Sequence, residues 1–252
     1  MTIRGIRLAA ARAAIVLALF AAWELAARTG AVNPRLLPPA SDTIATLAGL
    51  LQHGSLRWQL LTTGLEVLSA FVLAVPVGVA VAFAVAESRT AGDVLKPLLF
   101  FAFSIPKSLF LPMFILAMGI GFAEKVGFGF FSTVFIVILS TTTAIESVKL
   151  DQTRVARSFG ATRSQTVRHV YLPSMLPMLL EGLRIAMIFN VTGVILAEMY
   201  ASRDGIGHMI ADWGENFMMR QLLAGVLLIA CIAIIFNEAV RWVETRCSHW
   251  RT

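Results

Sequence analysis

Three long stretches of this chain contain no charged residue. Residues 67–86, 126–145 and 221–237 lack Asp, Glu, Lys and Arg, and each approaches the roughly 20 apolar residues that a helix needs to cross a bilayer. Only 14% of the 252 residues are charged, whereas a soluble domain carries roughly a quarter. These runs predict an integral membrane protein.

Three shorter uncharged runs bring the number of predicted membrane helices to six. Charges that flank residues 13–23, 108–123 and 185–197 can reach an interface or face other helices, so these runs also attain spanning length. A soluble core would not supply six such stretches in so short a chain. The sequence predicts an all-α integral membrane protein with helices near residues 10–28, 62–86, 95–118, 124–146, 176–199 and 221–243.

The 21 lysines and arginines are unequally divided between the two predicted sides of the membrane. With the N-terminus inside, thirteen fall in inner segments, six in outer segments, and Lys107 and Arg184 fall within the membrane. Because positive charge concentrates in cytoplasmic segments, both termini are predicted to be cytoplasmic. The net charge of +6 is therefore a topology signal, and no nucleic-acid partner is expected.

The outer connections are predicted to contain short amphipathic helices. Residues 33–54 carry prolines followed by apolar residues at helical spacing, and residues 202–220 carry Gly205 and Gly207 before a second short helix. The predicted divisions are the first transmembrane helix with its outer helix at 1–57, a transmembrane domain at 58–245 and a cytoplasmic tail at 246–252.

The one long inner excursion is basic and spans residues 148–173. It contains RVARSFGATRSQTVRHVYLP at 154–173, in which Val155 and Phe159 form an apolar pair one helical turn apart. The pattern indicates an apolar knob with a basic rim at the inner membrane face. A basic amphipathic loop lying on anionic lipid is the alternative that these residues leave open.

The same segment predicts two short helices joined by a hinge. Gly160 can adopt the left-handed conformation that ends a helix, and Thr162 can cap the helix that follows. Leu172 precedes Pro173, and the residue before a proline is pushed away from helical geometry. The second helix is therefore expected to close at Leu172-Pro173.

This inner segment resembles the cytoplasmic EAA loop of ABC importer permeases of the type I fold. The family pattern is E-A-A, three residues, Gly, nine residues and I-x-L-P. Arg154 stands where the glutamate is usual and Val155 where the first alanine is. The matching positions are Ala156, Gly160, Val170, Leu172 and Pro173.

Further phrases are similar to the sulfonate, taurine, nitrate and bicarbonate branch of that family. They are ARSFGATRSQTVRHVYLPSMLP, IPKSLFLPMFILAMGIG at 105–121, EGLRIAM at 181–187 and AEMYASRDGIGHMI at 197–210. The resemblance runs in order from about residue 37 to the C-terminus.

The resemblance implies a transport subunit without ATPase activity, in the bacterial inner membrane. Such permeases dimerise, dock two ATPase subunits, and receive a small anionic solute from a periplasmic or lipid-anchored binding protein. The sequence contains no phosphate-binding G-x-x-x-x-G-K-[ST] loop of its own. The residues implied in coupling are Arg154, Val155, Ala156, Phe159, Gly160, Ala161, Leu172 and Pro173.

Polar residues within the predicted membrane are functional candidates by default. Lys107 lies in FSIPKSLFLP, where Pro106 and Pro112 are predicted to interrupt the helix. Its ammonium could line the solute pathway and attract an anion, or reach an interface or pair with a carboxylate; both readings stay open. The candidate pathway residues are Ser104, Lys107, Arg184 and Asn190.

The other membrane-level polar residues are interpreted structurally. Glu181 is predicted to neutralise Arg184, three residues away, and Glu66 to be paired at a helix contact. Asn190 and Thr192 can hydrogen-bond between helices where Gly193 permits close approach, and Glu198 is expected to be solvated at the outer end.

Neither a cofactor nor a metal site is expected, because the four histidines are dispersed and no cysteine pair accompanies them. The sequence leaves two other function classes open. A gradient-driven secondary transporter would need internal repeats and intramembrane carboxylates, of which Glu66 and Glu181 are the only weak indications. An intramembrane enzyme would need a nucleophile with a base at membrane depth, and the histidines lie elsewhere.

Overall fold

The computed structural model describes residues 3–52, 54–87, 89–148 and 150–247, and all regular elements in these ranges are helical. His53, Lys149, and His249 with the end of the predicted tail lie outside the described residues. The elements are α1 (Ile3–Arg28), α2 (Ala40–Gln52), α3 (Gly54–Glu87), α4 (Arg89–Ser104), a 3₁₀ turn (Lys107–Phe110), α5 (Leu111–Met118), α6 (Phe122–Glu146), α7 (Leu150–Ser158), α8 (Arg163–Thr166), a π-turn (Val167–Tyr171), α9 (Leu172–Tyr200), α10 (Ile206–Glu215) and α11 (Met219–Cys247).

Five helices are long and apolar enough to cross a membrane, and a sixth crossing results if one bent pair counts as a single span. This confirms the predicted all-α membrane fold with about six spans, whereas the side on which the termini lie stays a prediction. The five spans are Ala10–Arg28, Gly54–Ala86, Phe122–Glu146, Ser164–Tyr200 and Met219–Trp242.

The third predicted span, residues 95–118, is broken and not straight. α4 ends at Ser104, and after the 3₁₀ turn α5 continues at an angle of 81° to it. Pro106 cannot donate a backbone hydrogen bond and restricts the residue before it, so the helix stops there as predicted. Pro112 does not interrupt a helix, contrary to expectation, because it lies in the first turn of α5, where no N–H is needed.

The described chain divides into two compact units. One comprises residues within 1–59 and 209–231, and the other comprises residues within 60–208 and 232–252. This grouping follows backbone contacts, and the functional division expected at residues 57 and 245 stays a prediction.

In the first unit, α2 is joined to the end of α1 by side-chain hydrogen bonds. The indole N–H of Trp23 donates to the carbonyl of Pro38 at 3.0 Å. The backbone N–H and the hydroxyl of Ser41 donate to the Glu24 carboxylate at 3.0 and 2.9 Å. These bonds position the short helix that was predicted in the first outer connection.

In the second unit, α6 is the central helix. Of its apolar span, 61% is buried, against 33% or less for each of the other four spans. It packs most extensively against α9, and glycines make that approach possible. A Cβ atom on Gly182 would collide with Ser140, and one on Gly193 would lie 2.7 Å from the Ser132 hydroxyl. Small residues at such positions are typical of close packing between membrane helices.

Candidate functional site

The hinge predicted at Gly160 is a well-formed helix end. Gly160 has φ of +79°, and its N–H donates to the carbonyl of Arg157 at 2.9 Å, while the N–H of Ala161 donates to the carbonyl of Ala156 at 3.1 Å. These two bonds form a Schellman motif, which satisfies the last carbonyls of α7. A side chain at residue 160 would meet no neighbour, so glycine is favoured there by its backbone conformation alone.

The helix after the hinge begins with the predicted cap. The Thr162 hydroxyl accepts a hydrogen bond from the N–H of Gln165 at 3.3 Å, and the Gln165 side chain accepts one from the N–H of Thr162 at 2.8 Å. This reciprocal arrangement is a capping box. Together with the Schellman motif it fixes the direction in which α7 points relative to α8.

The predicted closure at Leu172-Pro173 is wrong. Leu172 is helical, with φ of −55° and ψ of −50°, and its N–H donates to the carbonyl of Val167. That bond is the last of the π-turn at Val167–Tyr171, and α9 continues from it. The wider turn avoids the clash that a proline ring makes with the preceding carbonyl in a regular helix, so Pro173 is tolerated.

The π-turn is attached to the end of α6. Val170 and Tyr171 pack against a buried cluster that contains Ala144, Val148 and Met175. These contacts hold the base of the inner segment against the central helix. The two side chains therefore do not belong to an exposed knob.

The exposed apolar surface consists of Val155 in α7 and of Phe159, the residue that directly follows α7. Phe159 is 88% exposed and Val155 is 55% exposed, so two large apolar side chains lie together on one uncovered surface. Arg154 is also exposed, and its guanidinium lies 3.8 Å from the Asp151 carboxylate in a surface pair that contributes little to stability. A rigidly mounted apolar patch with charged neighbours is the composition of a protein-binding surface.

Lys107 follows the break between α4 and α5. Its ammonium donates to the carbonyl of Phe103 at 3.1 Å and lies 4.3 Å from the centre of the Phe103 ring. The Phe135 ring is 5.8 Å away. No carboxylate among the described residues pairs with Lys107. Ser104 is exposed on the other side of the break, with its hydroxyl bonded to the carbonyl of Phe100.

Arg184 and Asn190 occupy structural settings. The Arg184 guanidinium lies 3.8 Å from the carboxylate of Glu181, as predicted. The Asn190 amide donates to the carbonyl of Val67 at 2.7 Å and so joins α9 to α3. Thr192, by contrast, donates to Ile188 of its own helix, so the bond predicted between helices is absent there.

The structure shows a buried polar cluster that the sequence reading did not assemble. Glu198 is fully buried, contrary to the expectation that solvent surrounds it. Its carboxylate accepts hydrogen bonds from the Thr63 hydroxyl at 2.6 Å and from the N–H of Gly207 at 2.7 Å. The Thr63 hydroxyl in turn accepts from the N–H of Ile206 at 2.9 Å. These hydrogen bonds join the first residues of α10 to α3 and α9.

Lys125 completes this cluster. It is 3% exposed and forms a buried ion pair with Glu66, which confirms that Glu66 is paired at a helix contact. Its ammonium also donates to the Ser202 hydroxyl at 3.1 Å and to the carbonyl of Asp204 at 3.3 Å. One sequence signal could have predicted this cluster: Glu66, Lys125 and Glu198 lie at the same predicted level of the membrane. Within the described ranges, no three potential ligands come together as a metal site.

Comparison with known proteins agrees with this architecture. A sequence profile of the family described as binding-protein-dependent transport system inner membrane component matches residues 74–249. The taurine transport system permease protein of Escherichia coli (strain K12) is 30% identical over 239 residues, which cover 92% of this chain and 86% of that relative. The putative aliphatic sulfonates transport permease protein of Bacillus subtilis (strain 168) is 25% identical over 233 residues, covering 92% and 84%.

A solved structure shares the fold. The methionine ABC transporter MetNI in an inward-facing conformation superposes with a TM-score of 0.61 at 19% identity, covering 77% of this chain and 94% of the solved chain. The family profile covers more than half of the sequence, and the Escherichia coli relative is 30% identical across nearly all of it. The chain therefore belongs to the binding-protein-dependent transport inner-membrane components, the permease subunits of ABC importers, which work with ATPase subunits and a binding protein.

Proposed function

We propose that this chain forms the pathway for a small anionic solute as one half of a permease homodimer in a bacterial inner membrane. Two ATPase subunits dock on its inner side, and a periplasmic or lipid-anchored binding protein delivers the solute outside. The solute class is drawn from the relatives, whose names state taurine and aliphatic sulfonates.

The exposed apolar surface of α7 carries the proposal. Phe159 and Val155 are uncovered, although the hinge that holds them is fixed by a Schellman motif and a capping box. An isolated surface helix gains nothing from ordering such side chains in water, whereas a partner groove would bury them at about 1.5–3 kcal/mol per fully buried residue. The coupling residues are Arg154, Val155, Ala156, Phe159, Gly160, Ala161, Leu172 and Pro173.

Lys107 is the candidate contact for the anion. Broken helices are tolerated in a membrane where they face protein or a water-filled cavity, and the described residues give the ammonium no carboxylate partner. The Lys107 ammonium contacts a carbonyl and two aromatic rings, so it has no negatively charged partner among the described residues. We assign Ser104, Arg184 and Asn190 to the same solute pathway, because they lie near or between the helices that would form it.

The coupling role is tested at Gly160. Gly160→Val forces a β-branched residue into the left-handed region, whereas Gly160→Asn places there a residue that tolerates it. ATP-driven uptake into proteoliposomes, with the ATPase subunits and binding protein, should fall at least about tenfold in the valine variant and be largely retained with asparagine. ATP hydrolysis should lose its stimulation by the loaded binding protein in parallel.

Retention of the ATPase on the tagged permease in mild detergent is the first control, since it separates loss of docking from loss of folding. Wild-type uptake by the correctly folded Gly160→Val variant would show that α7 is not the coupling element. Absence of any ATPase subunit from the purified wild-type complex would refute the proposed function itself.

A further inference from the structure

A cavity of about 660 Å³ lies in the first unit, between the loop that follows α1 and the turn that precedes α11. Arg35 and Arg220 line it, and none of its lining residues in the described chain is acidic. By the predicted topology, only six of the 21 lysines and arginines lie on the outer side of the membrane. Two of those six therefore line one cavity.

The positive charge in this cavity is only partly neutralised. The Arg35 guanidinium has no carboxylate partner within the described ranges. The Arg220 guanidinium lies 3.4 Å from the Asp42 carboxylate, in a pair whose side chains are 62% and 42% exposed, and exposed pairs of this kind are weak. A guanidinium has five N–H donors. The cavity therefore offers spare charged donors, which favour an anion with several acceptor oxygens.

The loop that carries Arg35 is held by its own hydrogen bonds. The Asn33 side-chain oxygen accepts a hydrogen bond from the N–H of Arg35 at 3.0 Å. The Asn33 carbonyl accepts two more, from the N–H of Leu36 at 2.9 Å and from the N–H of Leu37 at 3.0 Å. The backbone at Arg35 is therefore ordered before a ligand binds, which lowers the entropic cost of binding.

A hydrogen bond to α1 defines the depth of this loop. The indole N–H of Trp23 donates to the carbonyl of Pro38 at 3.0 Å, and Pro38 lines the cavity. Trp23 precedes Arg28, the last residue of α1, by five residues, which correspond to about 7.5 Å along a helix. The loop therefore folds back beside the end of the membrane span instead of extending away from the membrane.

The opposite wall also lies at the end of a membrane span. Arg220 belongs to the first turn of α11, where the span Met219–Trp242 begins. The cavity is thus situated where two spans reach the membrane surface, which is the level of the phospholipid headgroups. In the chain alone, only 6% of the α1 span and 17% of the α11 span are buried, so both helices present apolar surface to acyl chains below this level.

Apolar side chains border the two arginines. Leu36 is 56% exposed and Phe217 is 74% exposed. Phe217 has φ of +54°, an unfavourable conformation for a bulky side chain, so the turn before α11 holds an aromatic ring at the surface despite the strain. Exposed aromatic and basic side chains together are typical of the membrane interface.

We propose that this cavity binds the headgroup of an anionic phospholipid, with the phosphodiester between the guanidinium groups of Arg35 and Arg220. The inference goes beyond the proposed function and does not depend on the transported solute. An ethanolamine or choline headgroup would bring a further cation next to two arginines, without a carboxylate in the cavity wall to receive it. A phosphatidylglycerol headgroup adds only hydroxyl groups and is therefore favoured.

A soluble acidic protein is the other partner that suits an exposed basic surface. Its side chains would have to enter the headgroup layer to reach the cavity wall at Pro38, whereas a lipid headgroup already lies at that depth. The depth of the cavity therefore favours the lipid.

Site-specific photocrosslinking tests this proposal. The photoreactive residue p-benzoylphenylalanine replaces Leu36, which lines the cavity, in the full permease–ATPase complex. The complex is reconstituted into vesicles that contain equal amounts of phosphatidylglycerol and phosphatidylethanolamine, and after irradiation mass spectrometry identifies the lipid attached to the peptide. Phosphatidylglycerol adducts should exceed phosphatidylethanolamine adducts about tenfold, because two arginines attract the lipid with net negative charge.

In the variant Arg35→Gln/Arg220→Gln that ratio should fall to about one. The matched control Arg57→Gln should retain the wild-type ratio, because Arg57 is an exposed arginine of the same unit that does not line the cavity. Added inorganic phosphate should reduce the phosphatidylglycerol adduct no more than sodium chloride of equal ionic strength does.

Equal adducts of the two lipids with both arginines in place would overturn the lipid site, and this measurement does not depend on the stability of any arginine variant. An unchanged ratio in Arg35→Gln/Arg220→Gln would overturn it as well. Specific suppression by inorganic phosphate would assign the cavity to a soluble anion instead. Crosslinking in native membranes to a protein and not to a lipid would assign it to a protein partner.

Discussion

At the scale of single residues, Glu198 illustrates how an acidic side chain at a helix end becomes part of a core. It lies near the end of α9, where the sequence places a boundary, yet it is buried because two donors from other segments replace water. Removing a buried acceptor leaves its donors without partners, which costs more than the bonds contribute.

We expect Glu198→Ala to lower the free energy of unfolding by about 2–4 kcal/mol, because the Thr63 hydroxyl and the N–H of Gly207 would both lose their buried acceptor. The matched control is Glu181→Ala, since Glu181 is 58% exposed and its pair with Arg184 spans 3.8 Å; this change should cost less than about 1 kcal/mol. Thermal unfolding of the purified permease in detergent measures both. Equal stability losses would contradict the buried role of Glu198.

At the scale of elements, the contact between α6 and α9 depends on the absence of side chains at glycine positions. Gly182 faces Ser140 so closely that a methyl group would overlap the serine side chain. Neither residue stands out in the sequence, because each lies in an ordinary apolar helix and the periodicity of one helix carries no information about its neighbour.

We therefore predict that Gly182→Ala destabilises the permease by about 1–3 kcal/mol through overpacking. Ser140→Gly should make room for the methyl group, so the double variant Gly182→Ala/Ser140→Gly should recover part of that loss in a double-mutant cycle. Gly64→Ala is the control, because a Cβ there would meet no neighbouring atom. Strictly additive effects of the two substitutions would exclude the proposed steric conflict.

The sequence around α7 and α8 was sufficient to predict those features that depend only on local backbone conformation. Gly160 predicted the left-handed hinge and Thr162 predicted the cap, since both effects act within a few residues. Pro173 was misjudged because a proline that ends a regular helix can be accommodated after a π-turn. That turn is fixed by packing of Val170 and Tyr171 against the end of α6, which no local pattern reveals.

At the scale of the whole molecule, membership of the permease family decides for ATP-driven import over the gradient-driven and enzymatic alternatives. The orientation in the membrane still rests on charge, with thirteen basic residues assigned to inner segments and six to outer ones. This orientation places α7 and the buried cluster around Lys125 toward opposite sides of the membrane.

Single cysteines report this orientation. In a Cys231→Ser/Cys247→Ser background, Phe217→Cys should react with a membrane-impermeant maleimide in intact spheroplasts, whereas Phe159→Cys should react only after lysis. Both native side chains are strongly exposed in the chain alone, so in cells that do not express the ATPase subunits accessibility depends on the side of the membrane and not on burial. Labelling of residue 159 before lysis would reverse the assigned topology and with it the docking side of the ATPase.

The sequence by itself determined the number and approximate extent of the membrane helices, the break at Pro106 and the hinge at Gly160, because hydropathy and backbone chemistry act over one or a few turns. Only the tertiary structure decided which charges are buried and with whom they pair. Thr63 and Glu198 are 135 residues apart in the chain, and Glu66 meets Lys125 only because α3 and α6 lie side by side. Partners at such separations are selected by helix packing, in which the shape of every side chain at the contact contributes.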